Sequence, residues 1–383
     1  MHWKALDKVD SNLYKGIAIL LIVTHNFMHL FPAPQENEFN FHPDRFLSLL
    51  YLFINEPENI IRVSLSFFGH FGVQIFIFLS AYGLAKKYSS HNLTYWPFIW
   101  QRMLKIYPAF ILAILIWAVL NGVYNYGLLG PIKVLYSNID SLLLKLSLLS
   151  NFIPGESISP VGPWWFIPFI FQFYFAFPFL LYLYSKWGGS ILLAISISSI
   201  LLSLVLQGKI GGLNIYFTVL GYLPGFCLGI YLAKKDDAGI HMPTLMILSA
   251  LFIYFLGNIY KVFWYASHIS FLILLLALFS YLAPKIKANI RFRRIILFFG
   301  GISMPLFLVN GFLREPFFSW ANEYNHWLLT IVLCLLSLIV SILVALVLLN
   351  IERYLMIKDS RENMLSMFRI INHILMSAFT RTK

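Results

Sequence analysis

The sequence predicts an all-α, polytopic integral-membrane bundle of about ten transmembrane helices with both termini cytoplasmic. Three observations carry that expectation. The chain is 60% hydrophobic and only 11% charged, against about a quarter charged in soluble domains. It divides into ten apolar runs, most near the roughly 20 residues needed to cross about 30 Å of hydrocarbon. Its Lys and Arg fall in alternate gaps between those runs. The net charge of +12 therefore does not point to nucleic acid, because the cations sit in short gaps and not on a soluble domain.

The first run, 15–31, follows the basic stretch "MHWKALDKVDSNLYKG" and ends at "LFPAPQ" without a small-x-small cleavage pattern, so it reads as a retained span. The next runs are 64–84, 107–126, 164–184, 188–206 and 213–233. Runs 242–260 and 263–283 are parted only by the "YKVFW" region, and 295–313 and 327–350 complete the set. With the N-terminus inside, the inner segments hold 21 of the 28 Lys and Arg, while 9 of the 16 acidic residues fall outside. Residues 1–350 thus form one transmembrane domain in a multi-pass protein of the cell membrane. The longest gaps are 32–63 and 127–163; residues 32–44, "PAPQENEFNFHPD", read as an irregular outer loop. The tail 351–383 has helically spaced apolar residues with Arg369, Arg381 and Lys383 nearby. It reads as a cytoplasmic amphipathic helix, on the inner leaflet or docked on the bundle. Cys227 and Cys334 lie inside apolar runs as small hydrophobes, too far apart for a metal motif. The "KKDD" turn at 234–237 reads as a solvated loop, and no internal repeat stands out.

Polar side chains within such runs mark either helix pairing or function. His25 lies ten residues beyond Lys15, about 15 Å along a helix and so near mid-bilayer, with His29 one turn further on the same face. A histidine there is a hydrogen-bonding helix packer or a general base, and periodicity does not choose. Residues 68–88 carry Gly69, Gly72, Gln74, Ser80 and Gly83; residues 98–110 place Arg102 and Lys105 just before "YP". Trp165, Gln172 and Tyr174 share another run, and Ser303 and Asn310 a fourth. Arg102 and Lys105 also fit simple anchoring at the inner surface, Trp164 and Trp165 an aromatic belt, and His70 the outer surface.

In order, "KGIAILLIVTH", "GVQIFIFLSAYG", "RMLKIYP" and "WFIPFIFQFYFAFP" resemble the motifs of the acyltransferase-3 family, integral-membrane enzymes that O-acylate cell-surface glycans. The resemblance extends over nearly the whole chain. It implies transfer of an acetyl or other short acyl group, such as succinyl, from a cytoplasmic acyl-CoA, with acetyl-CoA the expected co-substrate. The acceptor would be a glycan or lipid-linked glycan, worked on beside other polysaccharide-assembly proteins, with no bound cofactor or metal. It implies catalytic roles for His25, Lys15 and His29. Arg102 and Lys105 would meet the donor phosphates; Gln172, Tyr174 and Asn310 would donate to an oxyanion; Gln74, Ser80 and Trp165 would contact substrate. The chain departs from the pattern at Lys15, where Arg is commoner, and at His25, one residue early so that Asn26 holds the usual place. Gln74 and the Ile170–Phe171 pair stand where acids are frequent, Lys105 replaces a second Arg, and Asn310 replaces a His. A polysaccharide or lipid-intermediate exporter would also use many spans and intramembrane polar groups, but the halves of this chain show no correspondence of the kind transporters carry. A glycan polymerase would call for a large Arg- and His-rich outer loop, and neither long gap supplies one.

Overall fold

The computed structural model describes residues 2–3, 5–89, 93–235, 240–241 and 243–355. The expected tail helix and part of the "KKDD" turn lie outside them. Among the described residues the architecture is all helical apart from a two-residue antiparallel pairing of His2–Trp3 with Ile240–His241.

Helix α1 (Lys8–Met28) starts at Asp7, whose carboxylate accepts from the Asp10 amide at 2.6 Å and so satisfies one orphan donor of the first turn. After a loop come α2 (Pro43–Asn55), α3 (Ile60–Phe68) and α4 (Gly72–Lys87), the last two joined by a tight turn at Gly69–Phe71. The long α5 (Tyr95–Tyr126) carries Pro108 inside it. The gap 127–163 folds into α6 (Gly130–Ser137), α7 (Ile139–Leu146) and short turns. Then follow α8 (Phe166–Trp187), α9 (Gly189–Leu206), α10 (Leu223–Lys234), α11 (Thr244–Ile259), the single turn α12 (Lys261–Trp264) and α13 (Ser267–Ala288). Helices α14 (Ile290–Gly301) and α15 (Ser303–Leu313) meet at a 74° bend beside Gly300–Gly301, where two missing side chains let the ladder break. Helix α16 (Glu315–Tyr324) and α17 (Trp327–Leu355) close the described chain, so the predicted tail boundary at 351 falls inside a helix.

Among the described residues, six helices are long and apolar enough to cross a membrane, or seven if the bent α14–α15 pair is one span. The predicted count of about ten is higher because three apolar runs fall elsewhere. Run 15–31 lies on α1, which carries Lys15, Thr24, His25 and Asn26 and loses apolarity to them. Runs 213–233 and 242–260 lie on the shorter apolar helices Val219–Lys234 and Thr244–Ile259.

The helix ends sort into two groups. At one end Lys287 pairs with Asp10 at 2.6 Å, the Leu6 amide donates to the Tyr82 hydroxyl at 2.9 Å, and Lys234 donates to Ser89 at 3.0 Å. These residues are the ones whose Lys-rich surroundings the sequence placed inside; we call this the basic end. At the opposite end the Trp264 indole donates to the Asn37 carbonyl at 2.7 Å, and Phe39 stacks on Phe217 with centroids 4.4 Å apart. Helix α1 runs through the middle of the bundle because glycines let neighbours reach its backbone. A Cβ on Gly300 would collide with the Asn12 carbonyl, and one on Gly69 would lie 2.6 Å from the His25 Cβ and 2.8 Å from the Leu21 carbonyl oxygen. Trp164 and Trp165, expected in an aromatic belt, are instead buried in the core. The Trp164 indole donates to the Leu308 carbonyl at 2.9 Å, which removes its need for an interfacial partner. Cys227 and Cys334 are free and buried.

Candidate active site

Five helices distant in sequence line a cavity of about 180 Å³ in the basic half of the bundle. Lys15 of α1, Ser80 of α4, Lys105 of α5 and Tyr174 of α8 all line it, joined by Ser303 of α15. The resemblance implied the first four, and the fold brings them together. Arg102 does not line the cavity; its guanidinium lies over the Phe98 and Tyr174 rings, 5.7 and 5.9 Å from their centroids. The walls are apolar, from Ile22, Val73, Ile106, Ile167, Ile170 and Phe307. Ile170, one of the positions where the resemblance would have an acid, is one of these wall residues.

Other expected donors point elsewhere. Gln172 accepts from the Val219 amide at 2.9 Å and lines a separate cavity on the far face of α8. Gln74 is buried toward Gly225 of α10, its Oε1 3.9 Å from where a Cβ there would sit. Trp165 packs on Phe39 and Phe217, with centroids 5.3 and 5.8 Å away. Asn310 spends its amide on the Leu306 and Phe307 carbonyls at 3.0 and 2.7 Å, and its oxygen accepts from Asn26 at 2.7 Å. The oxyanion set of Gln172, Tyr174 and Asn310 is therefore dispersed. On helices that are apolar nearly all round, sequence does not reveal which face a polar residue will turn inward.

The cavity's upper residues, Ile22 and Phe307, lie three positions before His25 and Asn310, about 4.5 Å of helix rise. Directly beyond it is a buried histidine cluster. His25 Nδ1 lies 2.9 Å from the Ser66 carbonyl oxygen. A carbonyl only accepts, so Nδ1 holds the proton and Nε2 keeps a free lone pair. His29 stacks on His25 with centroids 4.7 Å apart, and the His70 ring is 5.5 Å from His25. His70 is thus buried in the site and not at the surface, because the Gly69 turn feeds it inward. His25 occupies the last turn of α1, which ends at Met28.

Residues 32–42 fold into the end of the bundle instead of ranging over it. Glu36, Asn37 and Glu38 are largely or fully buried. Ser66 donates to the Pro34 carbonyl at 2.9 Å, Arg62 to Ala33 at 2.6 Å, and Arg45 to the Glu36 and Asn40 carbonyls at 2.5 and 3.0 Å. These bonds hold the loop over the histidines, with Glu36 Oε1 3.8 Å from His29 Nδ1. Burial pushes the Glu36 carboxyl up to about 7, against the opposing pull of Arg45. Burial, with Glu36 as a neighbouring acid, raises that of Glu38 well above its usual range. Arg314, at the α15–α16 junction, is also buried and donates to the Asn26 carbonyl.

Glu36, His70 and Arg314 complete the cluster and were not among the expected site residues. The legible signal for them was two acids inside "FPAPQENEFNF" and a cation directly after "NGFL". Ligand atoms of His25, His29 and Glu36 lie within 4.8 Å of one another and could hold a metal ion. The buried Arg314 cation close by opposes a dication there.

Fold and site together define a multi-pass membrane protein in which a cation-lined cavity ends about one helical turn short of a buried histidine. Residues 9–349 match a family model described as an acyltransferase domain. The chain belongs to the acyltransferase-3 family, and its function class is membrane acyltransferase. No curated protein and no solved structure gave a match.

Proposed function

We propose that this protein moves an acetyl or other short acyl group, such as succinyl, from a cytoplasmic acyl-CoA to a hydroxyl of a cell-envelope or exopolysaccharide glycan. The observation that carries the reading is the stacking of the two compartments: a cavity flanked by Lys15 and Lys105 stops one helical turn short of His25. Lys15 and Lys105 suit the donor's phosphates, and the narrow apolar walls suit its acyl arm. His25 Nε2 then removes the proton as the glycan hydroxyl attacks the thioester carbonyl. The carbon–sulfur bond breaks, and the leaving thiolate takes that proton back. The Nδ1–Ser66 contact fixes the tautomer and orients the ring with Nε2 as its basic atom, an arrangement that suits proton removal.

This reading goes with ten crossings and both chain ends in the cytoplasm of a cell-membrane protein. It is supported by the grouping of the N-terminal residues, Lys234 and Lys287 at one end of the bundle. The donor would enter from that end and the glycan from the end covered by residues 32–42.

The test is the mass of the surface glycan from cells with and without the protein. Acyl-sized increments that vanish on deletion and on His25→Ala support transfer. A glycan of unchanged mass but altered surface amount would instead indicate export.

A further inference from the structure

Arg314 combines three properties that the acyl-transfer reading leaves unused. It is 8% exposed, so its cation has been taken out of water. Its Nε–H meets no acceptor among the described residues, and no carboxylate among them lies within 4.0 Å of its guanidinium. Glu315, its chain neighbour, is exposed. Its one hydrogen bond goes to the carbonyl of Asn26, the residue after His25. A buried cation whose acidic neighbour, Glu315, is solvent-exposed and screened costs several kcal/mol, more than one hydrogen bond to a carbonyl returns. A negative charge arriving directly beside the guanidinium offsets that cost.

Its neighbours sharpen this. Arg314 Nη2 lies 4.0 Å from where a Cβ on Gly162 would be, so the absence of a side chain there leaves room beside the guanidinium. The backbone at Asn26 fixes the guanidinium next to the base, on the side of α1 that faces α15. Gln172 and Asn310 are committed elsewhere, which leaves Tyr174 alone of the expected donors in the cavity, and a preorganised donor at the developing negative charge is the main requirement of acyl transfer.

We infer that Arg314 is the anion-binding residue of the reaction, holding the oxygen of the tetrahedral intermediate. This rests on the acyl-transfer reading and adds the group that stabilises its intermediate. As the acceptor oxygen bonds to the thioester carbonyl carbon, its proton passes to His25 Nε2 and the carbonyl electron pair moves to oxygen. Arg314 N–H groups bind that oxyanion. The carbonyl re-forms as the carbon–sulfur bond breaks, and the thiolate leaves with the proton from His25.

The experiment uses the full chain in lipid nanodiscs, acetyl-CoA as donor probe and isolated envelope glycan as acceptor, with free thiol and acylated glycan as readouts. Arg314→Gln should lower kcat by about 100- to 1000-fold while leaving both KM values within about threefold. Arg314→Gly should recover part of its rate when guanidinium is added, a response that a purely structural arginine would not give, and thermal unfolding identifies which variants are folded. A folded Arg314→Gln with normal kcat overturns the inference. So does a loss confined to the acceptor KM, which would make Arg314 a site for an anionic group on the glycan. Loss in Arg314→Gln without guanidinium rescue in a folded Arg314→Gly also overturns it. Wild-type protein that transfers no acyl group overturns the acyl-transfer reading itself, whereas a dead His25→Ala beside a normal Arg314→Gln overturns only the role of Arg314.

Discussion

At the scale of single residues, the site depends on which atoms of a side chain are already committed. His25 has one nitrogen on Ser66 and one free; His29 has its ring stacked on His25 and a carboxyl 3.8 Å away. His25→Ala should therefore cut acylation by about 100-fold or more, the usual weight of a general base, with little change in accumulation of the protein. His29→Ala should be milder. A normal acylation rate in His25→Ala would place the base elsewhere, and inactivity of His29→Ala alone would move it one turn outward. The donor cations can be separated in the same way. Lys15 and Lys105 line the cavity, whereas Arg102 lies against aromatic rings beside it. Lys15→Gln with Lys105→Gln should raise the KM for acyl-CoA, and most at low ionic strength, where the attraction is least screened. A KM that is unchanged at all salt concentrations would leave both lysines as inner-surface anchors.

At the scale of elements, the structure turns on α1 and the loop that follows it. Gly69 meets His25 and Leu21 so closely that any side chain must push the turn away from α1. Gly69→Val should cost about 1–3 kcal/mol by overpacking and should disable the histidine cluster as well. Unfolding midpoints and acylation rates measured on one preparation check both effects; unchanged values in both would mean that the close approach is dispensable. The loop 32–42 carries a pH-dependent term. The Glu36 carboxyl is pushed up to about 7 when the loop is seated over His29 with Arg45 alongside, and returns to the ordinary carboxylate range near 4.5 when it is not. The seated form thus binds the proton more tightly. Its contribution is whole below about 4.5 and is lost as pH rises through about 7. Glu36→Gln mimics the protonated acid, so it should match wild type in thermal unfolding at pH 5 and exceed it at pH 8. A difference between the two that does not change with pH would remove this assignment.

At the scale of the whole molecule, the two ends have different chemistry, and the proposed topology rests on that. Reporter fusions in the segments 86–106 and 284–294 should lie in the cytoplasm, and fusions within 32–63 outside; finding 284–294 outside would overturn the ten-crossing arrangement. The sequence by itself determined the helical class, the position of the long apolar helices and the basic end, because apolar run length and cation placement are local properties of the chain. It also marked Lys15, Ser80, Lys105, Tyr174 and His25, whose short motifs lie at places where helices converge. Only the tertiary structure decided the rest. It turned Gln74 and Gln172 away from the cavity and His70 into the cluster, since a helix that is apolar nearly all round fixes its rotation by packing against neighbours. It drew "PAPQENEFNF" inward, although polar loops ordinarily stay in water, because Arg45, Arg62, Ser66 and Trp264 bond its backbone and offset the cost of burying it. It placed Arg314 beside Asn26, across 288 residues of sequence, a contact that no local pattern encodes. Side-chain identity and spacing are written in the chain, but the partner that a buried polar group finds depends on how separate helices pack.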